Sequence, residues 1–218
     1  MDNEIRSEDS LIIPPRLEPL DLEEVKKQRR VTATSLDTLF DLWIPAARQL
    51  FEEQTGRQLM TATWETRLDC GPSGCVIELP HPPLQAVLSI VFDDATGIEQ
   101  TFDASAYTVI APSGPYARRG RVVLVSGATW PTGPMRIRYR AGYGDAIGDV
   151  SELIRYALMM LVGHFHKYGE EVSEARANIL QLPIGAKSVM DALKYTALPT
   201  ISLTRSSASF HTPWNWPW

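Results

Sequence analysis

The sequence predicts an α+β protein. Its helical core, two long helices plus shorter ones, carries an inserted β-rich, sandwich-like region, and extended arms lie at both ends. Three observations lead there. Apolar residues recur at helical spacing over 36–51 and again over 154–165. Between these stripes, from Thr61 to Tyr143, short runs of β-branched and aromatic residues are punctuated by Gly, Pro and Asp. Helix, then strand-rich stretch, then helices within 218 residues is the order of a sheet inserted into a helical core.

Residues 1–20 hold Pro14, Pro15 and Pro19 among charges and read as an extended N-terminal arm. The first part of the helical core spans 21–60. Asp21 is placed to cap a short helix from Leu22 through Arg30, with acids at its start and bases at its end, the order that complements the helix dipole. Thr34-Ser-Leu-Asp37 fits a capping box. The stripe Leu36, Leu39, Phe40, Trp43, Ala47, Leu50 and Phe51 behind it predicts a longer helix, stopped by Gly56. Pro45 lies inside it and predicts a kink near Asp41 to Trp43.

The β-rich insertion spans 61–145. Its expected strands are Thr61–Asp69, Val76–Leu79, Ala86–Asp93, Glu99–Phe102, Tyr107–Ile110, Arg121–Leu124 and Met135–Tyr139, with Asp94-Ala-Thr-Gly97 as a hairpin turn. Short strands at this spacing suggest a small sandwich or curled sheet. The second helical part spans 146–200. Asp149-Val-Ser-Glu152 repeats the capping-box pattern, and Ile154, Ala157, Leu158, Leu161, Val162 and Phe165 form the stripe. Gly169 is the expected stop, and a further helix is expected from about Ala186 to Tyr195. Residues 201–218 remain as a Trp-rich docking tail.

Composition removes several function classes. A 44% hydrophobic and 22% charged content is ordinary for a globular chain. A net charge of -5 and a pI near 5.4 argue against general nucleic-acid binding, which needs a basic surface to release counterions. The two cysteines, Cys70 and Cys75, read as free thiols of a reducing compartment, although Cys-Gly-Pro-Ser-Gly-Cys could also close a small loop. No secretory signal is visible, and Leu153 to Phe165 is too short to span a bilayer. The expectation is a soluble protein made and used in a cytoplasm.

Candidate chemistry is sparse. His164 and His166 lie two apart, which on a helix turns their rings about 200° from each other, so they do not grip one ion. Asp93-Asp94-Ala-Thr-Gly97-Ile-Glu99 has the acids of a calcium loop without its full register of oxygens, and reads as a hairpin turn. Gly142-Tyr-Gly144-Asp145 lacks the Gly-Lys-Ser/Thr ending of a phosphate loop and reads as the turn after the last strand. Neither Cys75 nor the Ser-Gly pairs have a base at recognisable spacing. Hence no catalytic, cofactor-binding or metal residue is assigned, and an enzyme is not expected.

Two features carry interaction readings. Arg118, Arg119 and Arg121 lie on a Gly/Pro-bounded loop, while Arg136, Arg138 and Arg140 alternate along one strand face. Either they pair with carboxylates on a solvated surface, or they meet an acidic partner or passing DNA backbone. The sharper feature is Phe210, Trp214, Trp216 and Trp218, behind the linker-like Thr204-Arg-Ser-Ser-Ala-Ser209. In an extended chain the three tryptophans point to one side, each able to bury roughly 150–250 Å². They either fold back on their own domain or dock on a neighbouring subunit or another protein.

An ordered set of short motifs runs through the chain. It comprises Ala46-Ala-Arg48 through Glu52, Thr55-Gly-Arg57-Gln-Leu59, Thr63-Trp-Glu65 to Leu68, and Ile77-Glu-Leu-Pro80 with Pro82-Pro-Leu84-Gln. Val87 to Ile90, Tyr107, Gly120-Arg-Val122, Trp130-Pro131, Ile137-Arg-Tyr139, Ala141-Gly-Tyr-Gly144 and Ile154-Arg155 with Ala157 to His164 follow, and Leu182-Pro183 to Leu193 is a fainter echo. In this order and spacing the chain resembles the head-to-tail connector (adaptor) proteins of tailed bacteriophages, the gp6-like and phiE125 gp8-like group that is also represented in gene transfer agents. Pro45, the proline-rich arm and the Trp tail depart from that group's usual pattern.

The resemblance implies a structural virion protein of the neck, made in the host cytoplasm. It implies a homo-oligomer, expected as a dodecameric ring under the portal protein, with a surface for a stopper or tail protein. Genomic DNA would pass through with transient, non-specific contact, and no membrane is involved. The alternatives are another neck part, such as a stopper-like or tail-completion protein, and a small hydrolase or ligand-binding module with a site assembled only in space.

Overall fold

A computed structural model describes residues 7–72, 74–168 and 182–194. Asp21 caps the first helix as its sequence predicts: the carboxylate accepts from the N–H groups of Glu23 and Glu24 at 3.1 and 3.2 Å, and α1 runs over Leu22–Arg29. The long helix α2 spans Asp37–Thr55 and stops at Gly56, whose φ of +67° is the left-handed cap that glycine adopts freely. The capping box expected at Thr34 does not form. Thr34–Leu36 is wound into a 3-10 turn instead, and the Asp37 carboxylate is engaged by Lys26 at 2.7 Å.

Among the described residues two further helices join the helical part, α3 over Glu152–Tyr168 and α4 over Ile184–Leu193. Asp149 also differs from its expected role, because its carboxylate accepts from the N–H of Ala146 at 2.9 Å and closes the 3-10 turn Ile147–Asp149 ahead of α3. Phe40, Ile44, Ala47 and Phe51 of α2 pack with Ile154, Ala157, Leu158 and Leu161 of α3, and with Met190 and Leu193 of α4. Leu39, counted in the α2 stripe from sequence, sits at its margin and is exposed, while Ile44 takes the inward place.

Between α2 and α3 the chain forms two antiparallel sheets. Strands β2 (Ala62–Leu68), β4 (Leu84–Asp93), β5 (Glu99–Thr101) and β8 (Met135–Ala141) join β1 (Ser7–Ile13) in a five-stranded sheet of order β1-β2-β8-β4-β5. Strands β3 (Val76–Leu79), β6 (Tyr107–Ile110) and β7 (Gly120–Leu124) form a three-stranded sheet of order β3-β7-β6. Alternation fixes which side faces in. Met135, Ile137, Tyr139 and Ala141 of β8 are buried, while Arg136, Arg138 and Arg140 take the opposite face. The inner residues of the large sheet meet Ile77, Leu79 and Val122 of the small one in a second apolar core.

Each strand expected from sequence is present within two residues of its expected ends. The N-terminal arm differs. Part of it is β1, paired antiparallel with β2 in the register Ser7↔Leu68 to Leu11↔Trp64, with an irregularity at Ile12 before Ile13↔Thr63. Among the described residues no helix is long and apolar enough to cross a membrane.

Candidate functional site

The described surface is organised around a polar seam where the helices meet the large sheet. Arg48 is buried on α2, four residues before Glu52 and so on the same face. It donates through Nε to Glu18 at 2.8 Å and through Nη1 to Glu52 at 2.6 Å, tying the N-terminal segment to α2. The other oxygen of Glu52 accepts from the backbone N–H of Leu59 at 2.9 Å and from Gln58 Nε2 at 2.8 Å. Gln58 in turn accepts from Trp64 Nε1 at 3.0 Å, and the Trp64 ring stacks on His81 at 3.8 Å. One connected path thus runs Glu18, Arg48, Glu52, Gln58, Trp64, His81. Burial pushes the Glu52 carboxyl above its ordinary range, against the charge of Arg48.

Arg57 makes a second tie. It is buried, and donates to the carbonyl oxygens of Leu193 at 2.7 Å and Ala117 at 2.8 Å. Tyr143, beside it, donates to the carbonyl of Pro115 at 2.8 Å. A planar guanidinium with forked donors can serve two carbonyls from separate elements at once. The end of α4, the β6–β7 loop and the turn after β8 are thereby held at one point.

A groove with a volume of about 390 Å³ opens above the seam, bounded by Leu11, Pro14, Pro15, Trp64, His81 and Arg57. His81 holds a φ of +62°, uncommon outside glycine, and burial pushes its imidazole below its ordinary pKa. Burial likewise raises the Tyr139 phenol well above its usual range.

The sequence-predicted arginines differ in exposure and pairing. Arg118 and Arg121 are exposed, and Arg121 stands opposite Glu78 in the β3–β7 ladder. Arg119 is half-buried, its charge acting on His81 and Tyr139. Along β8, Arg136 pairs with Glu99, and Arg138 pairs with Glu65 at 2.9 Å. Burial works to raise the Glu65 carboxyl, but the hydrogen bonds and charges of Arg138 and Arg67 outweigh it and hold it below the ordinary range. For these two β8 arginines, pairing with carboxylates within the chain is the observed arrangement. Phe210, Trp214, Trp216 and Trp218 lie outside the described residues.

His166 lies among the aromatic rings of Phe40 and Trp43, with centroids at 5.5 and 5.8 Å, and His164 contacts Tyr168. Among the described residues no group of three or more His, Cys, Asp or Glu is placed to hold a metal. Cys70 is half-buried, Cys75 is exposed, and both are free. The seam and β1 were not foreseen from the sequence as functional features. Their signals were the Arg57-Gln58 and Trp64 motifs, and the apolar run Leu11-Ile12-Ile13 inside an otherwise polar arm.

Residues 18–178 match the family model described as Head completion protein. Among solved structures, the chain is similar to one from "Neck of empty GTA particle computed with C6 symmetry", at 17% identity and a TM-score of 0.70, covering 89% of this chain and 98% of that one. It is similar to one from "Virion of native gene transfer agent (GTA) particle", at 17% identity and a TM-score of 0.71, covering 88% and 97%. A third, from "Neck of native GTA particle computed with C12 symmetry", gives 17% identity and a TM-score of 0.65, covering 89% and 98%. Likeness at this identity establishes a shared fold over nearly the whole of each chain. No curated protein matches the sequence.

Proposed function

Because the chain belongs to the head completion protein family, we propose that it is a structural neck protein of a tailed virus or gene-transfer particle, a head-to-tail adaptor that forms a ring beneath the portal. The observation that carries this reading is the family match over residues 18–178, most of the chain. The fold it shares with chains from gene-transfer-agent necks supports the same reading.

The role is structural rather than catalytic. The ring presents a docking surface for a stopper or tail component, and DNA passes through its lumen. An acidic chain suits that lumen, because it does not grip phosphate along its length. Arg118 and Arg121, exposed on and beside the β6–β7 loop, are the arginines best placed to meet DNA backbone or an acidic partner. Phe210, Trp214, Trp216 and Trp218 dock on the portal or a neighbouring subunit. The packed α2, α3 and α4 favour an adaptor over a stopper-like protein, which relies on a β-barrel without long flanking helices.

Negative-stain imaging of the protein mixed with its cognate portal tests the reading. A ring added to the portal is the expected result. A persistent monomer without affinity for the portal would overturn it.

A further inference from the structure

The five-stranded sheet has two edges of different character. One is β5, three polar residues, all exposed. The other is β1, seven residues with one side paired to β2 and, among the described residues, no strand on its other side. Proteins guard long edges with Lys, Pro or an inward charge. Ser7–Ile13 contains neither Lys, Arg nor Pro; its charges are Glu8 and Asp9, the latter held by the Thr66 hydroxyl at 2.6 Å, and its apolar end is bare, with Leu11, Ile12 and Ile13 45%, 42% and 50% exposed. The irregularity at Ile12 lies at the end of the strand, leaving Ser7 to Leu11 in unbroken register.

The sequence also holds a segment with matching properties. In an extended chain, every second residue presents its side chain to one face and its N–H and C=O to one edge. Over residues 210–218 the even positions are Phe210, Thr212, Trp214, Trp216 and Trp218, all of which have a backbone N–H. The odd positions include Pro213 and Pro217, which have none. One edge of this segment can therefore join a sheet, while its other edge ends that sheet. Its aromatic side chains all fall on the face they would need to share.

From these two patterns we infer that residues 210–218 of a second copy add as a strand to the open edge of β1. Leu11 is the register partner of Trp64, so a strand added there can place its aromatic face beside Leu11 and the groove formed with Trp64 and His81. Charge agrees with this choice. The β1 strand carries Glu8 and Asp9, whereas 204–218 has no acid and includes Arg205. Residues 195–209 separate Lys194 from Phe210, an extended reach of up to about 50 Å. Donor and acceptor are different surfaces of one chain, so the contact is heterologous, the kind of interface whose repetition makes a ring when its rotation closes. This inference rests on the ring reading above and names the contact that closes the ring.

A labelled peptide of residues 204–218 is titrated into the full chain and followed by fluorescence anisotropy. Three peptides are compared: unchanged, Thr212→Pro and Asn215→Pro. Thr212→Pro deletes a donor on the pairing edge and is expected to weaken binding roughly tenfold or more. Asn215→Pro deletes one on the outer edge and is expected to bind within about twofold of the unchanged peptide. Equal effects of the two prolines would overturn strand addition.

Disulfide trapping then fixes the source of the segment, in chains whose Cys70 and Cys75 are replaced by serine. Leu11→Cys in one copy and Trp216→Cys in another should give a cross-linked dimer. A cross-link only when both substitutions share one chain would overturn the second copy as occupant. If neither cross-link forms while the protein still adds a ring to the portal, the edge contact fails and the adaptor reading stands.

Discussion

Arg57 Nε donates to the carbonyl oxygen of Leu193 at 2.7 Å, joining residues 136 positions apart in the chain. The same guanidinium holds Ala117, and it makes both contacts from a buried position. Arg57→Ala leaves two carbonyls without their donor in a dry site. We expect a loss of about 3 kcal/mol in urea denaturation. Arg57→Lys should recover only part of this, because one ammonium cannot serve both oxygens in the same geometry. A lysine variant within about 0.5 kcal/mol of the parent would contradict that account.

Gly142 follows β8 with a φ of +130°, and a Cβ there would stand 2.6 Å from the carbonyl carbon of Met60. Both strain and overlap oppose any side chain. Gly142→Ala is expected to cost more than about 2 kcal/mol and to lower the thermal midpoint without changing the helical signal of the native state. A variant as stable as the parent by calorimetry would show that the turn can rearrange.

The Trp64–His81 stack predicts a pH dependence with a definite sign. Burial lowers the His81 pKa, the charge of Arg119 adds to this, and Asp9 opposes it. The unfolded chain therefore takes up the proton first. Stability from this group is full above the ordinary value of 6.5 and is lost as pH falls through it toward the folded value. His81→Asn keeps a residue type that tolerates the left-handed backbone but cannot titrate. The parent should lose more stability than the variant between pH 7 and pH 5, read as the shift in urea midpoint. Equal shifts would contradict the assignment.

Asp94 gives the complementary case in the acid range. Hydrogen bonds from the Thr96 hydroxyl, the Ile98 N–H, Gln100 and the Thr96 N–H lower its pKa from 3.8 to about 2. A depressed carboxylate contributes stability that is present above 3.8 and lost as pH falls toward about 2. Asp94→Asn removes that dependence. Its denaturation midpoint should fall less steeply than the parent's across this range, and an unchanged slope would refute the prediction.

Much of the fold could be read from sequence because the periodicities are clean. The alternation Met135, Ile137, Tyr139 against Arg136, Arg138 sets the facing of β8, and Asp94 with Gly97 sets the β4–β5 hairpin. Local pattern failed where tertiary partners decide. Asp37 resembles the last residue of a capping box, yet Lys26 from α1 takes its carboxylate. Ser7–Ile13 has little alternation of its own and is a strand only because β2 offers it an edge. The seam from Glu18 to His81 draws on residues 63 positions apart, so no spacing announces it. Of the sequence-assigned interaction residues, the arginines divide between solvent and half-burial for a similar reason. Arg119 is half-buried and its charge acts on His81 and Tyr139, residues that lie elsewhere in the chain.

The placement of the two apolar cores along the chain has a kinetic consequence. The buried apolar members of the sheet core lie between Leu68 and Ala141, whereas the helical core brings Phe40 and Phe51 against Leu158, Leu161 and Leu193. A ribosome releases every strand of the sandwich core before α4 exists. The sandwich can therefore close during synthesis, while the apolar face of α2 waits for the last helices to emerge. That interval, set by the length of the β-region, is when the nascent chain exposes the apolar face of α2, the longest of the described helices, and most needs a chaperone to shield it.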